Sequence, residues 1–271
     1  MKLSIVSGLK ESQSNQEKVI EQFSSLCDFL KPLNYDGIEL SLLEPENLEV
    51  GKLIEVKDSY EMEISALGTG STFIRFGYSL GHADENMREK AIGRISEYIE
   101  FARETDSKVI IGLIRGRYKF ESSTKKEKLN IISSLRDCCH IAENNNVELV
   151  FEPINSFEID SYNTVSEAVN LVNEIGSENL KLLLDTYHIN LEEEPGFIWD
   201  YLKEITDYVG HIHLADCTRR APGTGHFDFK TFLTIFKTAG YEDYASIETI
   251  MKPSFEEVAR ESSEYLRLIL K

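Results

Sequence analysis

The chain has little of what builds extracellular or membrane proteins. Its 271 residues contain four cysteines, Cys27, Cys138, Cys139 and Cys217. Their spacing fits neither a disulfide framework nor a zinc motif, so all four are expected to be reduced thiols. No run approaches the ~20 apolar residues that cross a bilayer. The opening residues, MKLSIVSGLKESQ, run out of apolar side chains too early for a signal peptide, and a cytoplasmic location is the expectation. Basic residues are also scarce: 29 Lys and Arg stand against 47 Asp and Glu, a net charge of −18. Such a surface repels phosphate backbones and anionic headgroups, which argues against nucleic acid and membranes as partners. There is no Pro/Gly/Ser-rich linker and no low-complexity tract. Nor is there a Gly-rich phosphate loop after the first strand candidate, which disfavours a doubly wound nucleotide fold.

What the chain does have is alternation. Short β-rich runs begin at Lys2 (KLSIVS), Gly37 (GIEL), Glu63 (EISALG), Lys108 (KVIIGLI), Val147 (VELVFE), Leu180 (LKLLLD), Val209 (VGHIHLAD) and Tyr244 (YASIET). Several are continuously apolar, as parallel strands covered on both sides require. Helical patterns fall between them, near 16–31, 85–104, 125–143, 164–175, 197–208, 228–239 and 254–270, with the weakest near 47–58. Asn144-Asn145-Asn146 reads as a helix stop. Eight strands, each followed by a helix, predict a single-domain α/β protein, a (β/α)₈ TIM barrel.

Active sites of such barrels lie at the C-terminal strand ends. Strand five ends in Glu152 and strand six in Asp185. Strand seven carries His211 and His213, and strand eight carries Glu248. One carboxylate at a strand end often only caps the next helix. Four adjacent strands ending in acids or imidazoles point to a metal site. Alternation puts His211 and His213 on the same face, and His213 is nearer the mouth, so it is the better ligand. His211 reads as a hydrogen-bonded imidazole of the barrel interior. Three carboxylates and one imidazole suit Mn²⁺, Mg²⁺ or Co²⁺ better than structural zinc. One divalent ion is expected, Mn²⁺ first, with Mg²⁺, Co²⁺ or Zn²⁺ as alternatives.

The stretches EPINSFE, LLDTYHINLEEE, HIHLADCTRRAPGTGHFDF and SIET resemble the ketose 3-epimerase group of the xylose-isomerase-like barrel superfamily, which includes D-tagatose/D-psicose 3-epimerases. The resemblance runs through strands three to eight. It implies metal ligands at Glu152, Asp185, His213 and Glu248, and substrate contacts at Glu158, His188 and Arg219. The six-residue interval before the substrate arginine fits His213 and not His211. The segment around Pro195-Gly196 departs from the group by its length. ALGTGSTF, IIGLIRGRYKF and APGTGHFDF resemble a subgroup acting on keto-sugar acids, such as 5-keto-L-gluconate epimerase.

The implied chemistry is epimerisation at the carbon next to a carbonyl through an enediolate, with Glu152 and Glu248 as acid/bases and the metal as Lewis acid. The substrate would be a ketose or a keto-sugar acid. Arg115 and Arg117 follow strand four directly. A guanidinium fork matches a carboxylate, so Arg115 is expected to bind the acid, with Arg117 as the alternative. Other readings of the same scaffold are aldose–ketose isomerisation of the hydroxypyruvate-isomerase type, keto-inositol dehydration and a non-enzymatic sugar-binding barrel. DNA repair, which this fold also hosts, would need more histidines than the six present and a basic groove. Arg220 reads as a loop cation, His226 as structural, and Trp199 and Phe73 as packing. A homo-oligomer is allowed by the sequence but not required.

Overall fold

The structure, a computed structural model, describes residues 1–9, 15–117 and 124–270. Eight parallel strands close on themselves in sequence order: β1 (Lys2–Gly8), β2 (Gly37–Ser41), β3 (Glu63–Gly68), β4 (Lys108–Ile111), β5 (Leu149–Phe151), β6 (Leu180–Asp185), β7 (Val209–Leu214) and β8 (Tyr244–Ile247). β1 pairs with both β2 and β8, which closes the ring and leaves no sheet edge. The fold is therefore the (β/α)₈ barrel that the alternation predicts.

Around it lie α1 (Gln16–Leu30), α2 (Val50–Ser59), α3 (Gly70–Phe76), α4 (Glu85–Thr105), α5 (Thr124–Asn145), α6 (Val165–Ile175), α7 (Thr186–Glu192), α8 (Ile198–Glu204), α9 (Phe229–Thr238) and α10 (Phe255–Leu270). Their ends follow local chemistry. A Thr164/Glu167 capping box opens α6, and Asp84 and Asp228 accept backbone N–H groups at the starts of α4 and α9. Asn146, at φ +53°, turns the chain out of α5 in the left-handed conformation that asparagine tolerates. Two short helices, α3 and α7, do not show in the sequence periodicity. Seven residues make barely two turns, too few for an apolar stripe.

The main core lies between the barrel and its helices. A separate small cluster, Ala66, Ile110, Val150 and Leu183, fills part of the barrel interior. The alternation that points Val150 and Leu183 inward also points Glu152 and Asp185 inward, two residues nearer the mouth. At the opposite end Lys108 closes the barrel floor, donating to Gly210 O at 2.5 Å and pairing with Glu148 at 2.8 Å and with Asp243. No helix among the described residues is long and apolar enough to cross a membrane.

Candidate active site

The strand ends bring four of the expected residues together. Glu152 directly follows β5, Asp185 ends β6, His213 lies near the end of β7, and Glu248 directly follows β8. One ligand atom from each lies within 4.8 Å of all the others. His213 Nδ1 is 3.4 Å from Glu248 Oε2 and 3.7 Å from Glu152 Oε1. Buried polar atoms normally find a hydrogen-bond partner. Glu152 Oε1, Asp185 Oδ2 and His213 Nδ1 have none. Their other ends are tied down. Asp185 Oδ1 accepts from Tyr187 N at 2.7 Å and so caps α7, while Glu248 Oε2 accepts from Arg219 Nη2 at 2.8 Å. Gly112 leaves room for the Glu152 carboxylate, because a Cβ there would stand 2.8 Å from Oε2. Oxygen and imidazole atoms left bare and converging are the donor set that a divalent cation satisfies, so the residues present fit such an ion.

The charged groups of the site perturb one another. Burial lifts the Asp185 carboxyl to about 6, with Glu248 adding to the effect. Burial alone would lower His213, but Glu39 and Glu248 outweigh it and hold the imidazole well above its ordinary value. Burial works against the charge on Glu248 as well, yet His213 and Arg219 hold it below the usual carboxylate range.

A second group lines the rim. His188, in α7, has its Nδ1 2.7 Å from Asn155 Nδ2. The Asn155 amide is oriented by Phe157 N and Glu158 N, both donating to its Oδ1. Its Nδ2 is therefore the donor, and His188 Nδ1 accepts. In the neutral ring the proton then sits on Nε2, which faces Glu152 Oε1 at 3.5 Å and Asp185 Oδ2 at 3.7 Å. Arg219 reaches Glu248 at 2.8 Å and Glu158 at 3.5 Å, and lies over the Tyr187 ring at 4.9 Å. Its backbone is held at φ +57°, a left-handed conformation costly for arginine. The Ile250 N–H donating to Arg219 O at 2.7 Å helps fix that turn.

These groups open onto a cavity of about 250 Å³. Val6, Ile74, Ile110, Leu113 and Ile154 supply its apolar lining, and Glu158, His188 and Arg219 its polar lining. A larger groove of about 680 Å³ on the outer surface, lined by Lys203 of α8 and Thr231 and Ile235 of α9, contains none of the site residues.

Arg115 is not where the sequence reading put it. It is fully buried, and its guanidinium donates to Gly112 O at 3.1 Å, Glu152 O at 2.8 Å and Ser161 O at 2.9 Å, while lying over the Phe151 ring at 5.0 Å. Its donors are directed at these carbonyls and at Ser161 Oγ, which leaves no fork turned toward a substrate carboxylate. Arg115→Ala should therefore act on stability. Loss of these bonds and the cavity left behind are expected to cost about 3–5 kcal/mol. That lowers the melting temperature by roughly 10 °C for a chain of this size. A variant with wild-type melting behaviour and a selective loss on acid substrates would restore the original reading. Part of the strand-four motif, residues 118–120, lies outside the described residues.

Sequence reasoning missed Glu39 and Asn155. Glu39, buried on β2, accepts hydrogen bonds from both His211 and His213. Burial raises its pKa, but the two imidazoles outweigh that and hold it near about 2. A lone acid inside the apolar run GIEL is the signal that could have revealed it. His211 lies one layer below His213 and also reaches Ser246 Oγ at 3.1 Å. Among the remaining candidates, Arg220 and His226 are exposed, and Trp199 packs edge-on against Phe227.

The chain is a closed (β/α)₈ barrel with three carboxylates and an imidazole converging at its C-terminal mouth. The chain belongs to the xylose isomerase-like TIM barrel family, which it matches over residues 27–269. It is similar to an L-ribulose 3-epimerase of Mesorhizobium japonicum, 25% identical, with 79% of this chain and 71% of that one aligned. It is equally similar to the 3-dehydro-D-guloside 4-epimerase of Escherichia coli, 25% identical over 86% of this chain and 87% of that one. Among solved structures, an L-ribulose 3-epimerase superposes with a TM-score of 0.86 at 21% identity, covering 99% of this chain and 94% of that one. The apo 3-keto-D-glucoside 4-epimerase of E. coli superposes at 0.83 and 21%, covering 99% of both. The relatives are sugar epimerases, which are isomerases.

Proposed function

We propose that this protein is a divalent-metal-dependent epimerase acting at the carbon next to the carbonyl of a neutral ketose. The observation that carries the reading is the convergence of Glu152, Asp185, His213 and Glu248, with three bare buried atoms facing one another. The relatives' names add a shared logic. A ketose 3-epimerase and a 3-dehydro-sugar 4-epimerase both invert the carbon adjacent to a carbonyl.

A metal held by these four residues, Mn²⁺ by preference and Mg²⁺ or Co²⁺ as alternatives, would supply Lewis acidity toward the carbonyl and its neighbouring hydroxyl. The remaining work falls to side chains. One of Glu152 and Glu248 takes the proton from carbon, and the other delivers a proton to the opposite face of the enediolate. Their strands are three steps apart around the ring, so they approach the substrate from different directions. His188 offers its Nε2–H, and Arg219 its guanidinium, to oxygens on which negative charge develops. Glu158 holds Arg219 and is placed to accept from a substrate hydroxyl.

Neutrality of the substrate follows from charge. Arg219 is the one arginine or lysine among the described residues lining the cavity, and it is already paired with Glu248 and Glu158. A substrate carboxylate would meet mostly carboxylates. With Mn²⁺ present, L-ribulose or D-psicose should yield the C3 epimer, with kcat/KM roughly tenfold or more above that for the matching keto-sugar acid. Product analysis by chromatography checks this. An aldose as the main product, or preference for the acid, would overturn the reading.

A further inference from the structure

Beneath the four-residue cluster lies a second buried group that shares His213 with it and adds two residues the chemistry above leaves unused, Glu39 and His211. Glu39 comes from the middle of β2 and reaches β7 on the far side of β1 and β8. Its Oε2 lies 2.9 Å from His211 Nε2, and its Oε1 and Oε2 lie 3.1 and 3.0 Å from His213 Nε2. An ionised carboxylate can only accept, so both Nε2 atoms must carry protons. In a neutral imidazole the lone pair then resides on Nδ1. For His213 that is the atom facing Glu152 and Glu248. An amide at position 39 would serve both rings less well: with its oxygen in the place of Oε2 it can accept from both, but its NH₂ then stands about where Oε1 does, 3.1 Å from His213 Nε2. The NH₂ would favour the opposite tautomer there, in which Nδ1 carries a proton and cannot bind a cation.

The geometry points to Glu39 as a positioning residue for the metal site: by accepting both Nε2–H groups it fixes the tautomer and ring plane of His213, and His211 braces Glu39 from the layer below. The inference rests on the four-residue metal reading. Outer partners of ligating histidines generally act this way, and their removal typically costs about 10–100-fold in metal affinity.

The test is a Mn²⁺ titration, reading free Mn²⁺ by electron paramagnetic resonance, on wild type, Asp185→Asn, Glu39→Gln and His211→Asn, with thermal melts alongside. Wild type should bind one ion, and Asp185→Asn should lose it. Glu39→Gln, which keeps side-chain volume, should bind about 10–100-fold more weakly while melting within a few degrees of wild type. His211→Asn leaves Glu39 in place and should weaken binding roughly threefold or less. Wild-type affinity in Glu39→Gln, with binding lost in Asp185→Asn, overturns the role of Glu39 and leaves the metal site standing. No binding by wild type overturns both. Equal losses in Glu39→Gln and His211→Asn would assign the effect to packing of the layer and overturn the tautomer role. A readout independent of folding variants is nitrogen NMR of ¹⁵N-histidine wild type loaded with Zn²⁺. His213 should carry its proton on Nε2 and show a metal-shifted Nδ1. Ligation through Nε2 overturns the proposal.

Discussion

Chelation of the purified protein is expected to abolish turnover, and adding Mn²⁺ back is expected to restore it, with about one ion bound per chain. The basis is electrostatic. Without an ion, Glu152, Asp185 and Glu248 crowd around His213, and three inward-facing atoms lack any hydrogen-bond partner. His213 and Arg219 offset part of this negative charge, and a divalent ion among the carboxylates would offset more of it. The carbon acid beside a ketone is weak, and among the described residues Arg219 is the one arginine or lysine that lines the cavity. Asp185→Asn is the sharpest variant. Asparagine is as good an N-cap as aspartate, so α7 should keep its start and the fold its stability. What disappears is one anionic ligand. The variant should melt near wild type, hold Mn²⁺ at least ~100-fold more weakly, and lose about 10³-fold or more in kcat/KM at limiting metal. Undiminished turnover by metal-free protein, verified by elemental analysis, would sink the mechanism.

How much of this was legible in the sequence depended on whether a residue's neighbours were fixed by periodicity. The barrel was legible because eight β-rich runs alternate with helical patterns, and runs such as LKLLLD and KVIIGLI are mostly apolar, as parallel strands covered on both faces require. Side-chain alternation places His211 and His213 on one face and sets His213 nearer the mouth. Glu39 was not legible in the same way. Its partners sit on β7, 172 and 174 residues away, and nothing local marks an acid in GIEL as a partner of imidazoles. Asn155 lay inside a quoted motif, but its work is to orient His188, 33 residues on.

Arg115 shows how a correct strand can give a wrong side chain. KVIIGLI reads as a strand running to the rim, and an arginine just past its end then faces the mouth. The strand instead stops at Ile111, and the chain turns at Gly112, where a side chain would collide with the Glu152 carboxylate. Leu113–Arg115 then form a single 3₁₀ turn that rolls the arginine into the shell behind Glu152. From there it fastens the carbonyls of Gly112, Glu152 and Ser161. Its charge serves the placement of Glu152, and Arg115 is thereby removed as the partner of an acid substrate.

Epimerisation run in heavy water should place solvent deuterium at the inverted carbon, with close to one atom incorporated per turnover. Glu152 and Glu248 stand on β5 and β8, with β6 and β7 between them. A proton taken by one is therefore not the proton given by the other, and the carbon must collect its new hydrogen from a group in exchange with water. Glu248 is partly open to solvent, with about 30% of its side chain exposed, whereas Glu152 is buried. Exchange should consequently be faster through Glu248. Recovered substrate should become labelled more readily in the direction of reaction in which Glu248 is the abstracting base. Glu248→Gln removes a proton-transfer group, and the expected loss in kcat is about 10²–10⁴-fold. Glu152→Gln should lose a similar amount. Both residues also belong to the proposed metal cluster, so each variant must be shown to retain Mn²⁺ before its rate is read as chemistry. A Glu248→Gln protein that holds Mn²⁺ should still wash deuterium into one epimer through Glu152 while failing to complete the inversion. That half-reaction has no counterpart in a hydride shift or in a single base serving both faces. Product retaining the substrate's own hydrogen at the inverted carbon would leave the two-glutamate mechanism without support.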